Sequence, residues 1–253
     1  MTKIFLSVVI PCFDEMANLQ KGVLDKVDNF LSKKPFEYEI IIVDDGSRDD
    51  SVNFIRDYVK GNPHFRFIAS PHTGKGGAVT KGVLKAEGEY ILFTDMDQAT
   101  PIEEIDNLLP FFKKGYDIVI GSRNTRRKGS PLSRQIISRA AIVLRKVIID
   151  IAGITDTQCG FKMFRADAAK PLFTKIDKIH NGFQKVRGSN VSSGFDVELL
   201  YLAIRNKYKI KEVPVHWLYV ETRRVNPVTD SIDGVKELLR IKKNALTGKY
   251  GRN

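Results

Sequence analysis

Cysteine is nearly absent: Cys12 and Cys159 are the two thiols in 253 residues. Neither supports a disulfide framework, so both are expected as reduced thiols in a cytosolic setting. Neither sits in a His–carboxylate pattern, which argues against a thiol nucleophile. Histidine is equally scarce. His64, His72, His180 and His216 are scattered without ligand spacing, which argues against a histidine-based metal site. Trp217 is the single tryptophan and reads as core or groove packing. Long apolar runs are also missing. No stretch approaches the ~20 residues of a spanning helix, and the best one, Ile136 to Ile151, is interrupted by Arg139, Arg145, Lys146 and Asp150. The opening Met1-Thr2-Lys3-Ile4-Phe5-Leu6 enters a strand pattern at once, without signal-peptide architecture. The expectation is a cytoplasmic chain that is not integral but can lie peripherally on the cytosolic face of a membrane.

Acidic side chains are in deficit, 30 against 41 basic ones, for a net charge of +11. That excess favours an anionic partner: a phosphorylated substrate, an acidic membrane surface or nucleic acid. The last lacks support, because no zinc-ligand array, RNA-binding signature or basic-aromatic stripe is present. No nucleic-acid partner is expected. Hydrophobic content of 42% and charged content of 28% describe an ordinary globular chain, long enough for one large α/β domain.

In the first half, short apolar runs alternate with amphipathic stretches. Leu6–Ile10, Ile40–Val43, Phe65–Ala69, Tyr90–Thr94 and Ile118–Ile120 read as strands, with helices near Asn18–Leu31, Ser51–Val59, Gly77–Ala86 and Ile102–Phe112. Val- and Ile-rich strands joined by helices predict a mostly parallel sheet flanked by helices. Ligands of such sheets gather beyond the carboxyl ends of the strands. Three acidic loops fall there: Pro11 to Glu15, Asp44 to Asp50 and Asp95 to Thr100. The second half is less regular. Pro131–Ile151 and Phe195–Arg205 read as helices, Ile210–Val215 as a strand, Thr222 to Asp233 as a mobile loop, and Gly234 to Leu246 as a basic amphipathic helix. The chain divides into a domain at 1–218, with halves 1–123 and 124–218, and an extension at 219–253.

Asp95-Met96-Asp97, where a buried strand runs out, carries the most chemistry. Two carboxylates one residue apart can share a hard cation, and Mg²⁺ or Mn²⁺ commonly takes one or two carboxylates plus substrate phosphates. By itself an Asp-x-Asp at a strand end is as often a solvated turn. Asp44 and Asp45 can accept hydrogen bonds from a ribose hydroxyl or a base N–H, while Ser47 and Asp49 equally suit a helix cap. Gly74-Lys75-Gly76-Gly77 opens a helix whose amino terminus, with Lys75, can receive phosphate. It matches neither the Walker A nor the dinucleotide pattern.

Ser7-Val8-Val9-Ile10-Pro11-Cys12-Phe13-Asp14-Glu15, Val43-Asp44-Asp45-Gly46-Ser47, Gly74-Lys75-Gly76, Asp95-Met96-Asp97 and Gly121-Ser122-Arg123 occur in this order. Together they resemble the family 2 glycosyltransferases of the GT-A fold. Asp156-Thr157-Gln158-Cys159-Gly160-Phe161-Lys162 and Phe195-Asp196-Val197-Glu198-Leu199-Leu200 look like the branch that glucosylates dolichyl phosphate. The resemblance implies an inverting transferase that moves a sugar, glucose from UDP-glucose first, onto a dolichyl or polyprenyl phosphate. The alternatives it leaves are UDP-GlcNAc or GDP-mannose as donor, or a carbohydrate hydroxyl as acceptor. It further implies that Pro11, Phe13, Glu15, Val43 and Asp45 line the nucleotide pocket, where Asp44 and Lys75 join them on the strength of their own chemistry. Asp95, Met96, Asp97 and Gln98 would take the diphosphate, with Mg²⁺ or Mn²⁺ held by Asp95 and Asp97. Family members usually carry Tyr-Asn where this chain has Phe13-Asp14. Arg134, Ser138 and Arg139 resemble the cluster that relatives use for the lipid phosphate.

An acceptor phosphate also demands positive charge on physical grounds, which Arg side chains supply bidentately. Arg123, Arg134 and Arg139 are the candidates, followed by Arg223 and Arg224. A phosphate oxygen is already anionic near neutral pH, so direct displacement needs no general base. Asp196, which resembles the base position of hydroxyl-glycosylating relatives, is therefore expected to hold the site's shape or a sugar hydroxyl.

Overall fold

The computed structural model describes residues 3–123, 144–151, 153–184, 194–218 and 227–251. Seven strands form one sheet: β1 (Leu6–Cys12), β2 (Tyr38–Asp44), β3 (Phe65–Ala69), β4 (Tyr90–Thr94), β5 (Ile118–Arg123), β6 (Phe161–Arg165) and β7 (Ile210–Val215). Their spatial order is β3-β2-β1-β4-β6-β5-β7. β1 pairs in parallel with β2 and β4, β2 with β3, and β5 with β7. β6 runs antiparallel to both its neighbours. The expectation of a mostly parallel α/β sheet holds, and one reversed strand joins its two parallel blocks.

Alternation along the strands explains the two-sided core. Val9, Ile41 and Val43 face one hydrophobic cluster, while Val8, Ile10, Ile40 and Ile42 face a second. The first is covered by α4 (Gly74–Lys85), α6 (Ala166–Ile179), α7 (Gly194–Arg205) and α8 (Pro227–Leu246), through Val79, Phe173, Leu199 and Ile241. The second is covered by α1 (Met16–Leu19), α2 (Val23–Leu31), α3 (Ser51–Lys60) and α5 (Ile105–Phe112), through Leu19, Val27, Ile55 and Leu108. A sheet buried on both faces is what near-continuous Val/Ile strands require. Each such side chain taken fully out of water contributes roughly 1.5–3 kcal/mol.

Three local readings differ from expectation. The helix anticipated near Asn18–Leu31 is two helices, broken at Gly22, whose φ of 70° is a left-handed conformation that glycine adopts without strain. β6 and α6 were not anticipated. α8 starts at Pro227, so part of the loop expected between Thr222 and Asp233 is helix; proline's fixed φ suits a first helical turn. Residues 131–143 of the long helix expected from Pro131 lie outside the described residues.

Five of the strands that precede acidic or basic loops share one polarity, so their carboxyl ends line one rim. The reversed β6 enters that rim at its amino end. Register places Thr94 opposite Phe161, which sets Asp95, just past β4, beside Gly160, just before β6.

Candidate active site

The loops after β1 and β2 fasten each other. Ser47 Oγ accepts a hydrogen bond from Asp14 N at 3.0 Å, and Ser51 Oγ accepts one from Glu15 N at 3.1 Å. Asp49 Oδ2 accepts another from Met16 N at 3.1 Å. Arg48 reaches back to Asp14, donating from Nε at 3.1 Å and from its backbone N at 2.6 Å. The Phe13 ring lies stacked on His72, centroids 4.3 Å apart and planes 15° apart, with the Arg48 guanidinium 5.3 Å from the ring centroid. Ser47 and Asp49 thus stitch two loops together, and Asp49 also meets the cap expectation, its Oδ1 accepting from Ser51 N at the start of α3 at 3.0 Å.

Asp44 and Asp45 are both buried, and both have their own backbone work. Asp44 accepts from Gly46 N at 3.0 Å and turns the chain. Asp45 accepts from Thr73 N at 2.7 Å, Gly74 N at 2.9 Å, Thr73 Oγ1 at 3.1 Å and His72 Nδ1 at 2.8 Å. A carboxylate of β2's loop therefore caps the amino terminus of α4, satisfying donors that the helix leaves orphaned. Pro11 and Val43 lie opposite each other on β1 and β2. Glu15 Oε2 accepts from Asn18 Nδ2 at 2.6 Å.

Capping α4 in this way delivers Lys75 to the third loop. Lys75 Nζ lies 2.5 Å from Asp95 Oδ1. Burial pushes the ammonium towards deprotonation, but the charges of Asp95 and Asp196 outweigh it and hold its pKa above the ordinary lysine value. Asp97 is raised instead: burial dominates, the neighbouring Asp95 charge adds to it, and the hydrogen bond from Ala99 N (3.0 Å) opposes it. Two carboxylates crowded at a strand end with one half-buried ammonium make a site that a further cation would stabilise. Met96, between them, turns its side chain into the second core cluster. Gln98, at φ 48°, donates to Asp95 O at 2.8 Å, and its Oε1 is buried without a hydrogen-bond partner.

The donors available to a metal are thus all oxygens, the set that suits Mg²⁺ or Mn²⁺. Among the described residues no three His, Cys, Asp or Glu side chains cluster as a closed metal cage. Asp95 and Asp97 fit an open site completed by a ligand's own phosphate oxygens. Gly160 supplies the room: a Cβ built there would overlap the Asp95 carboxylate.

Beneath this rim lies a fully buried ion pair. Lys162 of β6 donates from Nζ to Asp196 Oδ1 at 2.6 Å and to Cys159 O at 2.6 Å, with the Phe93 ring centroid 5.2 Å away. Asp196, at the start of α7, is itself buried. Arg123, the last residue of β5, is clamped bidentately by Asp156 (Nε at 2.7 Å, Nη2 at 2.8 Å), and Asp156 also accepts from Arg123 N at 2.9 Å. Burial pushes the Asp156 carboxyl up, but its bonds to Arg123 win and hold it below the usual carboxylate range. The guanidinium sits 6.0 Å from the Trp217 ring centroid.

Lys75 therefore contacts Asp95 and lies within the field of Asp196 and Asp97, with Gln98 hydrogen-bonded to the Asp95 backbone alongside. Arg134, Ser138, Arg139, Arg223 and Arg224 lie outside the described residues. Gly160, Lys162, Asp156 and Arg48 were not singled out for the site by sequence reasoning. Only the register of an antiparallel strand reveals the first two. Cys12 is no nucleophile: burial, then the charge of Asp44, pushes its thiol up to about 12.

The chain is similar to known proteins in sequence and in fold. The sequence model described as glycosyl transferase family 2 matches residues 7–173. A dolichyl-phosphate beta-glucosyltransferase from Dictyostelium discoideum is 32% identical over 261 residues, covering 97% of this chain and 76% of that protein. The proteins of the same name from Saccharomyces cerevisiae and Homo sapiens are also 32% identical, covering 99% and 97% of this chain and 78% and 77% of their own. Among solved structures, glucosyl-3-phosphoglycerate synthase from Mycobacterium tuberculosis with Mn²⁺, UDP and glucosyl-3-phosphoglycerate gives a TM-score of 0.61 at 16% identity, covering 99% of this chain and 81% of that one. S. aureus TarS 1–349 with UDP-GlcNAc gives 0.54 at 18% identity, covering 94% and 65%. At such identities these two structures speak for the fold.

Proposed function

From the premise that this chain belongs to glycosyl transferase family 2, alongside the dolichyl-phosphate beta-glucosyltransferases, we propose that it transfers glucose from UDP-glucose to dolichyl or another polyprenyl phosphate with inversion. The observation that carries the site assignment is the rim itself, where Asp95, Asp97 and Lys75 meet beyond the carboxyl ends of parallel strands. Residues 1–123 hold the nucleotide sugar and 124–218 the acceptor.

Phe13, flanked by His72 and Arg48, provides a flat surface for the base, and the capped start of α4 brings Lys75 towards the diphosphate. Asp95 and Asp97 would hold Mg²⁺ or Mn²⁺, whose bound charge neutralises the departing nucleotide diphosphate. Lys75 adds a second positive charge. On the acceptor side, Arg123 is fixed by Asp156, and Arg134, Ser138, Arg139, Arg223 and Arg224 complete the phosphate's contacts. Two like unit charges 4 Å apart repel by about 4 kcal/mol at an effective dielectric of 20, so bringing two phosphorylated molecules together needs this much cationic surround.

The acceptor phosphate oxygen attacks the anomeric carbon as the bond to UDP breaks, and no proton has to leave the nucleophile. Asp196 is bound to Lys162 and has a structural task, which accords with a reaction lacking a dedicated base. Asp196→Asn should then reduce turnover through the site's shape while retaining measurable transfer. Complete loss with donor affinity intact would establish Asp196 as a base. The acceptor's lipid tail places the work at a membrane surface, with the chain peripheral on the cytosolic face. No described helix is long and apolar enough to cross a membrane.

The test is a panel of UDP- and GDP-sugars with Mg²⁺ or Mn²⁺ and a short polyprenyl phosphate, scored by sugar recovered on lipid. Glucose from UDP-glucose should be recovered on lipid in preference to GlcNAc or mannose. Sugar appearing on a glycan hydroxyl and not on the lipid phosphate would overturn the assignment.

A further inference from the structure

α8 uses two faces differently. Leu238 and Ile241 are buried against the first core cluster, with Ala245 partly buried beside them. At 100° per residue, Val235, Leu239, Lys242 and Leu246 fall within a narrow stripe on another face. There Leu239 is 56% and Leu246 78% exposed, and Val235 is exposed as well. Lys242 extends from the stripe, with Lys236 and Lys243 along one margin. Lys236 pairs with Asp233 at 2.9 Å, but both are well exposed and the pair holds little of the lysine's charge from solvent. Large apolar side chains left outward, with lysines whose stems can lie along them, describe a surface made for an anionic apolar–aqueous boundary.

The rest of α8 fixes that surface relative to the active site. Glu237 lies against the start of α7, where a Cβ on Gly194 would overlap its carboxylate. Arg240 donates to Glu198 of α7 at 3.1 Å, and Tyr250, just past α8, donates to the same carboxylate at 2.5 Å. Asp196, which closes the site from below, is two residues earlier on α7. A contact on the outer stripe of α8 therefore sets the orientation of the catalytic rim.

We propose that the outward stripe of α8 is the surface by which this protein docks on a bilayer carrying anionic lipid, with Val235, Leu239 and Leu246 entering the headgroup boundary and Lys236, Lys242 and Lys243 meeting lipid phosphates. The proposal rests on the reading of the acceptor as a polyprenyl phosphate. It commits to lipid as the occupant because the stripe and its margin carry Lys236, Lys242 and Lys243 against Asp233, a net positive charge that complements an anionic leaflet, whereas a second copy would set these lysines against one another.

The 253-residue chain is compared with its Leu239→Glu/Leu246→Glu variant, neither position touching the site. The native protein should co-sediment with phosphatidylcholine vesicles containing phosphatidylglycerol at low salt, be released at high salt, and ignore pure phosphatidylcholine. The variant should keep its melting temperature and lose about tenfold or more in vesicle affinity. Its transfer to a long polyprenyl phosphate in those vesicles should fall by a similar factor, while transfer to a short, water-soluble polyprenyl phosphate stays unchanged. Equal vesicle binding by the two proteins overturns the proposal. So does a native dimer in sedimentation equilibrium that the variant converts to monomer, which would assign the stripe to a second copy. Absence of transfer to either acceptor by the native protein would instead defeat the functional reading, and vesicle binding would still decide the docking face.

Discussion

Gly160 shows how one missing methyl group positions a charge. The Asp95 carboxylate occupies the space a Cβ would fill, and Lys75 holds the same carboxylate from its other side. Gly160→Ala must therefore push Asp95 out of line with Asp97 while leaving both core clusters untouched, since Gly160 belongs to neither. A displacement of about 1 Å in a binding constellation commonly costs on the order of a hundredfold in rate. We expect Mn²⁺ affinity, measured calorimetrically in the presence of UDP, to fall at least about tenfold, or roughly 1.4 kcal/mol. The urea midpoint should move little. Unchanged metal affinity in a folded Gly160→Ala protein would show that Asp95 is not a ligand of the ion.

At the scale of elements, β6 and α7 are joined by one buried ion pair. Lys162 points to the side of the sheet where its strand neighbour Phe164 packs in the core, and its charge is matched by Asp196 and the Cys159 carbonyl. Removing one partner of such a pair leaves an uncompensated buried charge, at a cost of about 3–5 kcal/mol, whereas replacing both by apolar groups is often close to neutral. Lys162→Met should lower the unfolding free energy by that amount in urea titration, and Lys162→Met/Asp196→Leu should recover most of it. A double variant no better than the single would mean the pair is incidental. The same lysine explains why β6 was illegible in the sequence. Phe161-Lys162-Met163-Phe164-Arg165 shows charges where an inward strand should be apolar, and Pro171 interrupts the helical pattern of α6. By contrast β1, β2 and β5 are dense in Val and Ile and β4 is apolar along Ile91-Leu92-Phe93, so the apolar pattern alone reveals them, and β7 was found with its observed boundaries. The acidic loops were legible for a related reason: a parallel sheet puts every strand-end loop on one rim. What each carboxylate bonds to depends on contacts far apart in sequence. Asp45 meets Thr73 and Gly74, and Arg123 meets Asp156, pairs that only the packed chain brings together.

For the molecule as a whole, Glu198 is where distant segments are tied. Fully buried in α7, it accepts from His180 Nε2 at 2.7 Å, from Arg240 at 3.1 Å and from Tyr250 at 2.5 Å, joining the end of α6, α8 and the chain's last described turn. Burial alone would raise its pKa. The His180 hydrogen bond, the Arg240 charge and the Tyr250 hydroxyl overcome that and lower it from 4.5 to about 2. A carboxyl whose folded pKa is depressed adds stability that is fully present above its unfolded pKa and is lost as pH falls through the folded one. Here the window runs from about pH 4.5 down to about 2, and the contribution is about 3 kcal/mol. That is a sizeable share of the roughly 5–15 kcal/mol by which a domain is stable. Glu198→Gln keeps an acceptor but has no charge to lose. The difference in unfolding free energy between native protein and Glu198→Gln should therefore be full above about pH 4.5 and shrink steadily below it. Other carboxylates titrate in both proteins and cancel in the difference. A difference that stayed constant from neutral pH to pH 3 would show that Glu198 contributes through hydrogen bonding and packing alone.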